Sequence, residues 1–556
     1  MNLPHFNLPV YRALCLLLLF WQGINDAWAQ TPYLPAPYTY LPSTHNLVRS
    51  YTVIKPGMST EQIRQSSNPL EVQLTTQYFD GLGRPIQTVV RQGSLNTAGS
   101  QTTPVDLVTP QEYDGLGREV YKFLPYASDN SDGRFNGSVS PVVNPFAQQA
   151  SFYNQYFAGQ NENHFYAKNV FEASPLNRVL EQYAPGDNWV KTENAEKRSI
   201  KTGYHFNTAT DMVRIWNVSD HATMGEWGTY TSPAGQVGLY APGQLYKTIT
   251  TDENGKQVIE FKDKQGLVIL KKVQLTAAAD TGTGSGYDGW ICTYYLYDDF
   301  GSLRCVVQPK GVKWLSENNW NLSYTTLLDE QCFRYEYDQR RRMIRKKVPG
   351  AGHVWMVYDS RDRLVLTQDG NMRQQNKWLY TWYDALNRPM ATGIWATTTA
   401  LATLRTQAAQ APGTMYSYYP ALGTAGLEEL SRSFYDDYSW LTQYAGHGLT
   451  TTLETEAEQD TAENNTQYPY VRKLEVSLLT RGMPTGSRTK ILGTSHWVTS
   501  VVLYDANGRA IQTKAHNAQE GLVERTTTQY GFAGQVHHRV TRQIKTGADA
   551  QHLVTH

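Results

Sequence analysis

Residues 334–370 read RYEYDQRRRMIRKKVPGAGHVWMVYDSRDRLVLTQDG, and one short pattern occurs in them twice. Tyr337-Asp338 opens the first copy and Tyr358-Asp359 the second. Four positions after each Asp stands an Arg, Arg342 or Arg363, and an apolar stretch follows it. The pattern predicts a β-hairpin. The aromatic residue ends one strand. The Asp takes the first position of a type I turn, where its carboxylate accepts a backbone N–H two residues on. The fourth turn position needs a left-handed backbone, and the Arg opens the return strand.

The same unit recurs on both sides. Clear copies begin at Phe79-Asp80, Tyr113-Asp114, Tyr297-Asp298, Tyr383-Asp384, Tyr435-Asp436 and Tyr504-Asp505. Phe261-Lys262-Asp263 and Tyr530-Gly531 read as degraded copies. The fourth turn position holds Gly83, Gly117, Gly301, Arg341, Asp362, Asn387, Ser439 and Gly508. Most of these are Gly, Asn or Asp, which tolerate positive φ. The next position is Arg in Arg84, Arg118, Arg342, Arg363, Arg388 and Arg509. A salt bridge across the turn, or a guanidinium stacked on a neighbouring Tyr, would tie hairpin to hairpin. Tyr337 to Tyr358 is 21 residues and Tyr358 to Tyr383 is 25, a period typical of solenoid-like arrays. Period two marks the return strands: in RPIQTVV, Ile86, Thr88 and Val90 face one way, Gln87 and Val89 the other.

Composition agrees with a sheet protein of neutral charge. The 556 residues carry 50 Lys plus Arg and 50 Asp plus Glu. That balance excludes a nucleic-acid footprint or a polybasic membrane patch. Tyrosine is in excess, 37 against 16 Phe, as expected for pleated surfaces that bury a ring and keep a hydroxyl wet. Beyond the first thirty residues the cysteines are Cys292, Cys305 and Cys332, a set that makes neither a disulfide scaffold nor a zinc pattern. Three buried thiols is the default reading, although one pair could bridge in an oxidising compartment. At the N-terminus, the apolar run ALCLLLLFW at 13–21 follows Arg12 and precedes Ala27-Trp28-Ala29. This fits a signal peptide over 1–29 and predicts export, with no transmembrane segment in the mature chain.

On these residues the chain resembles the Rhs/YD-repeat proteins, relatives of the toxin-complex shell and the teneurin ectodomain. WICTYYLYDDFGSLRCVVQPKGV (290–312), residues 334–373, QYFDGLGRPIQTVV (77–90) and FEASPLNRVLEQYAPGDNW (171–189) are similar to the Bacteroidota type. The resemblance implies an all-β, repetitive hairpin sheet that curls into a shell or part of one, with small helical insertions. It also implies a C-terminal effector enclosed by the shell. The family's closing core block and effector are not in this sequence, so no toxin activity is carried onto these residues.

The expected organisation is a signal peptide at 1–29, an N-terminal Rhs-associated domain with two YD units at 30–205, a linking β region at 206–290 and the YD-repeat region at 291–556. PFAQQASFYNQYFAG inside an irregular insertion predicts a short helix. ATTTALATLRTQAAQA (396–411), ended by Pro412-Gly413, predicts another. The acidic stretch 453–467 predicts a solvated loop.

No catalytic or metal constellation emerges. Asp at many turns is turn chemistry rather than a general base, which must be single and perturbed. Gly255 in TDENGK marks a hairpin by the Asn-Gly rule. GTGSG at 282–286 lacks the Lys-Ser/Thr of a phosphate loop and predicts a flexible loop. Adjacent His537 and His538 would face opposite sides of a strand and cannot chelate together. Trp216, Trp227, Trp290, Trp355, Trp378 and Trp382 would make a sugar-stacking surface if exposed, and inter-strand packing if not. The functional expectation is a secreted or cell-surface, non-enzymatic shell segment without cofactor. Its partner is the remainder of the polypeptide or an enclosed effector. The alternative is an extracellular module that binds glycans or cell surfaces.

Overall fold

The computed structural model describes residues 32–38, 46–96, 103–139, 142–160, 162–190, 198–233, 238–411, 419–457, 471–545 and 551–555. The expected signal peptide, Pro412-Gly413 and most of the acidic stretch 453–467 lie outside them.

The chain is built on antiparallel strands, most of them in one sheet of 22. That sheet begins with Tyr121–Phe123, Tyr166–Phe171, Val179–Tyr183 and Ile200–Phe206. From Tyr246–Thr251 onward each strand pairs with the next in sequence, to Gln551–Thr555. Its strand order has the topology of a barrel. The register runs unbroken through 206 and 290, the two boundaries expected from sequence, so one sheet contains the linking region and the repeats.

Strict alternation fails at one recurrent place. Tyr337 pairs with Met343 while Glu336 pairs with Arg345, which leaves Ile344 as an extra residue. The same bulge leaves out Ile86, Val365 and Ile511 in other units. The second and third residues after the Arg are therefore both buried, as with Ile86 and Gln87, and period two resumes beyond them. A bulge increases local twist and bends the strand. Repeated in successive units at one rim, it curves the whole sheet.

A separate five-stranded sheet holds the first YD unit and comprises Asn46–Val53, Val72–Phe79, Pro85–Asn96, Thr103–Pro110 and Tyr126–Ala127. The helix Pro145–Tyr156 sits between the two sheets. Asn144 caps it by accepting from the Phe146 N–H at 3.0 Å. Phe146 packs with Phe123, Tyr166 and Tyr183 of the main sheet, while Phe152 and Tyr153 pack against the core of the smaller one.

One face of the main sheet is covered by the chain's own excursions. The helices Pro309–Glu317 and Thr325–Glu330 and the segments 213–233 and 238–245 bury Ile259, Phe261, Leu270 and Tyr294. The helix Leu401–Gln410 covers Val357, Leu366 and Trp378. That helix starts later than its Ala-rich sequence suggests. Ala396 still belongs to the strand Pro389–Ala396, and Thr397 and Thr399 bond to each other before the first turn.

The covered face also carries long polar residues that bind these excursions. Lys247, fully buried, reaches Asp211 at 2.8 Å and Asp280 at 2.6 Å. Lys272 donates to the carbonyl of Ser285 at 2.6 Å, and burial lowers its pKa to about 8. The expected flexible loop at 282–286 is thus pinned, with Gly282 and Gly284 donating to Asp280. Part of the expected solvated loop is pinned likewise. Glu456 is buried and accepts from Arg525 at 2.6 Å, and the Glu454 backbone brackets Gln512. Arg525 and Gln512 stand on the sheet far along the chain, so acidic composition at 453–457 alone could not reveal them. The opposite face is rich in small hydroxyls in the C-terminal half. Thr392 bonds Ser431 at 2.6 Å, Ser487 bonds Ser500 at 2.9 Å and Thr526 bonds Thr541 at 3.0 Å.

The turn geometry makes unequal demands on two glycines. Gly508 sits at φ +76°, whereas Gly81 has open space and an ordinary φ. Gly508→Ala should lower unfolding free energy by about 1–2 kcal/mol, and Gly81→Ala should leave it within about 0.5 kcal/mol. Denaturant titration of the two variants beside the parent measures the difference.

Candidate functional site

The repeated turns stand side by side along one rim of the main sheet, because consecutive strands alternate in direction. Each binds its Asp in the same way. Asp359 Oδ1 accepts the N–H of Arg361 at 2.9 Å and of Arg363 at 3.0 Å, while Oδ2 accepts Arg363 Nε at 2.7 Å. The Asp359 N–H donates to the Arg363 carbonyl at 3.0 Å. Asp114 with Arg118, Asp338 with Arg342, Asp384 with Arg388 and Asp505 with Arg509 repeat this arrangement, their Nε distances lying between 2.6 and 2.8 Å. Asp80 and Arg84 do so in the smaller sheet. The residue between is left-handed throughout: Gly83, Gly117, Gly301 and Gly508, and without glycine Arg341 (φ 61°), Asp362 (63°) and Asn387 (64°).

Each Arg then reaches the next hairpin. The guanidinium of Arg84 lies 4.6 Å from the Tyr113 ring centre, Arg342 4.9 Å from Tyr358, Arg363 5.6 Å from Tyr383, Arg388 4.2 Å from Tyr435 and Arg509 5.0 Å from Tyr530. Arg118 stacks on Phe171 at 4.8 Å. The tyrosine answers through its hydroxyl, which donates to the carbonyl of the residue after that Arg. Tyr113 donates to Pro85 at 2.9 Å, Tyr358 to Met343 at 2.9 Å, Tyr383 to Leu364 at 2.9 Å, Tyr435 to Pro389 at 3.0 Å and Tyr530 to Ala510 at 3.2 Å. Tyr297, Tyr337 and Tyr504 make the same bond, to Val268, Leu303 and Pro484, where no Arg precedes. Phenylalanine could stack but could not donate, so each of these links needs the tyrosine hydroxyl.

The copy at Tyr435-Asp436 departs from the tight turn. Its return strand begins only at Pro484, and Ser439 opens a short helical stretch instead of a left-handed corner. The hairpin still closes, because the Asp436 N–H donates to the Met483 carbonyl at 3.0 Å. Asp436 takes φ 71° and receives both outer nitrogens of Arg388, at 3.0 and 2.5 Å. These bonds, led by Arg388 and followed by the Gly482 N–H, hold its carboxyl down at about 2.

One turn of the same design was not evident from sequence, and the hairpin expected at Gly255 uses the design on the opposite rim. In FEASPLNR, Glu172 replaces the Asp and binds Arg178 Nε at 3.0 and 2.9 Å, with Asn177 left-handed. Arg178 stacks on Tyr204 at 4.4 Å, and Tyr204 donates to Val179 at 3.3 Å. Bonds from Arg178 and then Ser174 hold Glu172 at about 2. The shared signal is the dipeptide Asn177-Arg178, which repeats Asn387-Arg388. On the opposite rim, Asp252 binds the N–H groups of Asn254 and Lys256, with Gly255 left-handed.

The other candidates are packing residues. Trp216, Trp290, Trp378 and Trp382 are buried. Trp227 is clamped between Arg345 at 4.2 Å and Arg334 at 4.3 Å, and Trp355 lies under Arg373. His538 is buried and His537 half-buried. Cys292, Cys305 and Cys332 are buried free thiols. Among the described residues no three His, Cys, Asp or Glu are grouped to hold a metal ion, and no helix is long and apolar enough to cross a membrane.

A domain of unknown function, DUF6443, matches residues 51–205. No curated protein matches the chain. Among solved structures it is similar to the Photorhabdus luminescens Tc holotoxin pore carrying a TccC3 mutation, with 15% identity over 87% of this chain and TM-score 0.42. It is also similar to TcdB2-TccC3-TEV (16% identity, 96% of this chain, TM-score 0.44) and to TcdB2-TccC3-Cdc42 (14%, 99%, 0.44). The chain covers 19%, 21% and 21% of those three chains.

Tyr383→Phe should cost about 1 kcal/mol, the value of one hydrogen bond, since the ring under Arg363 is kept. Arg363→Ala should cost about 3–5 kcal/mol, because it strands the buried Asp359 carboxylate. Urea unfolding of both variants reads the contrast. A second expectation concerns acid. Asp436 and Glu172 titrate near 2 in the folded chain against ordinary values of 3.8 and 4.5. The unfolded chain therefore binds more protons between those limits. The stabilisation is complete above about pH 4.5 and is lost as pH falls toward 2. Unfolding midpoints at pH 5 and pH 2.5 should differ, and Asp436→Asn should shrink the difference; an undiminished difference would contradict the assignment.

Proposed function

We propose that the chain is a secreted, non-catalytic wall segment of the Rhs/YD-repeat kind, which encloses or presents a polypeptide carried on the same full-length product. The observation that carries this reading is the division of labour between the two faces of the curved sheet. One face is occupied by the chain's own excursions through buried ion pairs such as Lys247 with Asp211 and Asp280. In the C-terminal half the other presents Thr392, Ser431, Ser487, Ser500, Thr526 and Thr541, small hydroxyl side chains that satisfy one another. Such a face, with Leu379, Ile394, Val498 and Val502 set among the hydroxyls, meets an enclosed chain mainly with small polar side chains. The mechanism is steric: hairpins locked rim to rim leave no free strand edges between them for a protease or a second chain to enter. Export rests on the apolar leader at 13–21.

The test is a fusion. A protease-sensitive, unstructured polypeptide is attached after His556 of the full chain, and the same polypeptide is added free in a parallel sample. Protection in cis should lengthen its lifetime under proteinase K at least tenfold relative to the free form. Equal digestion of the two would remove the enclosing role.

A further inference from the structure

The Arg position of the turn rim is not filled at every step. After Asp263 it is Leu267, and after Asp298 it is Ser302. At Asp298 the loss is partly made good, since Arg304 from the bulge comes within 3.4 Å of Oδ2. At Asp263 it is not. Its Oδ1 accepts the N–H groups of Gln265 and Leu267, both at 2.9 Å, but among the described residues no donor reaches Oδ2. The rest of the receptor is intact. The next aromatic, Tyr297, is present and donates to Val268, as the tyrosine does at the other steps that carry one. Leu267 sends its Cδ1 toward Gly301, at 3.7 Å from where a Cβ would stand. In the same way Arg84 sends a guanidinium nitrogen toward Gly117.

A cleft of about 490 Å³ lies at this step. Asp263, Asp298 and Asp299 border it, and Trp216, Tyr240 and Tyr297 supply ring surface. Arg214 and Lys264 also line it, but the Arg214 guanidinium is stacked on Trp320 at 4.7 Å and Lys264 is exposed. A carboxylate oxygen facing an aromatic ring is the pair that holds a guanidinium at seven steps of this same chain among the described residues. Planar guanidinium suits it better than ammonium, because it can bond a carboxylate edge-on while stacking face-on.

We propose that the cleft at the Leu267 gap is a recognition site for an arginine side chain of a peptide segment, which docks on the rim and supplies the guanidinium that the turn lacks. A peptide is favoured over a small molecule because the rim takes its guanidinium elsewhere from a side chain on an extended backbone. The site does not depend on the enclosing role, so either reading can fail alone.

The test uses the full chain and three probes: acetyl-Gly-Arg-Gly amide, the same peptide with citrulline, and free L-arginine. Binding is followed by isothermal titration and by saturation-transfer NMR. The arginine peptide should bind saturably, and the isosteric but uncharged citrulline peptide at least tenfold more weakly. Leu267→Arg, which fills the gap from within, should abolish binding while keeping the melting temperature at or above the parent's. Asp263→Asn should weaken binding about tenfold. Equal binding of the arginine and citrulline peptides would overturn the proposal. So would parent-like affinity in both variants. Free L-arginine binding as tightly as the peptide would overturn the peptide assignment.

Discussion

The structure depends on a guanidinium held from two sides. Within its own turn the Asp fixes Nε, and in Arg84, Arg118 and Arg342 Nη2 as well, while Nη1 reaches along the rim, as from Arg342 to Asp362 and from Arg509 to the Gly531 carbonyl. That fixes the side chain before any neighbour arrives, so the entropy of ordering a long Arg is shared between the turn and the joint. The neighbour then contributes a ring face and a hydroxyl. Stacking is tolerant of distance, ranging from 4.2 to 5.6 Å. The hydroxyl bond is not tolerant, and it recurs even where the Arg is absent. Registry between hairpins therefore rests on tyrosine, and the strength of the joint on arginine.

Curvature and cover follow from the same unit. The return strand gains one residue over its partner immediately after the turn, and the extra residue is a buried aliphatic in Ile86, Ile344, Val365 and Ile511. The bend thus faces the core that the excursions complete. Buried Lys and Arg on this face would be costly alone. Here they reach carboxylates and carbonyls of the covering segments, so the covering is specified by partners and not only by apolar area.

Much of the turn chemistry was legible, because Asp, left-handed residue and Arg fall within five consecutive positions. Less of the joint was. The acceptor of Tyr383 is the Leu364 carbonyl, and nothing local to Tyr383 marks it. The bulge was hidden because alternation in RPIQTVV is judged by residue type, and Ile86 is apolar on either face. Tyr435-Asp436 carried the local signal yet has a long excursion where the corner should be, since the bond that closes it comes from Met483. Glu172 to Arg178 was the converse case: the closing contacts are there, but two extra residues hide the spacing. Glu456 illustrates a third kind of failure, where composition suggests solvent and a distant Arg525 decides otherwise.

The joint between hairpins has a direction. Wherever the turn Arg is present it grips the aromatic ring of the unit that follows, although Arg341 also stacks back on Phe300 of the preceding turn. The array consequently has a head and a tail, like a filament of like-oriented subunits. A hairpin emerging during synthesis meets a predecessor whose cation is already set in place, so assembly can proceed in the order of translation, with each new unit seated on a finished one.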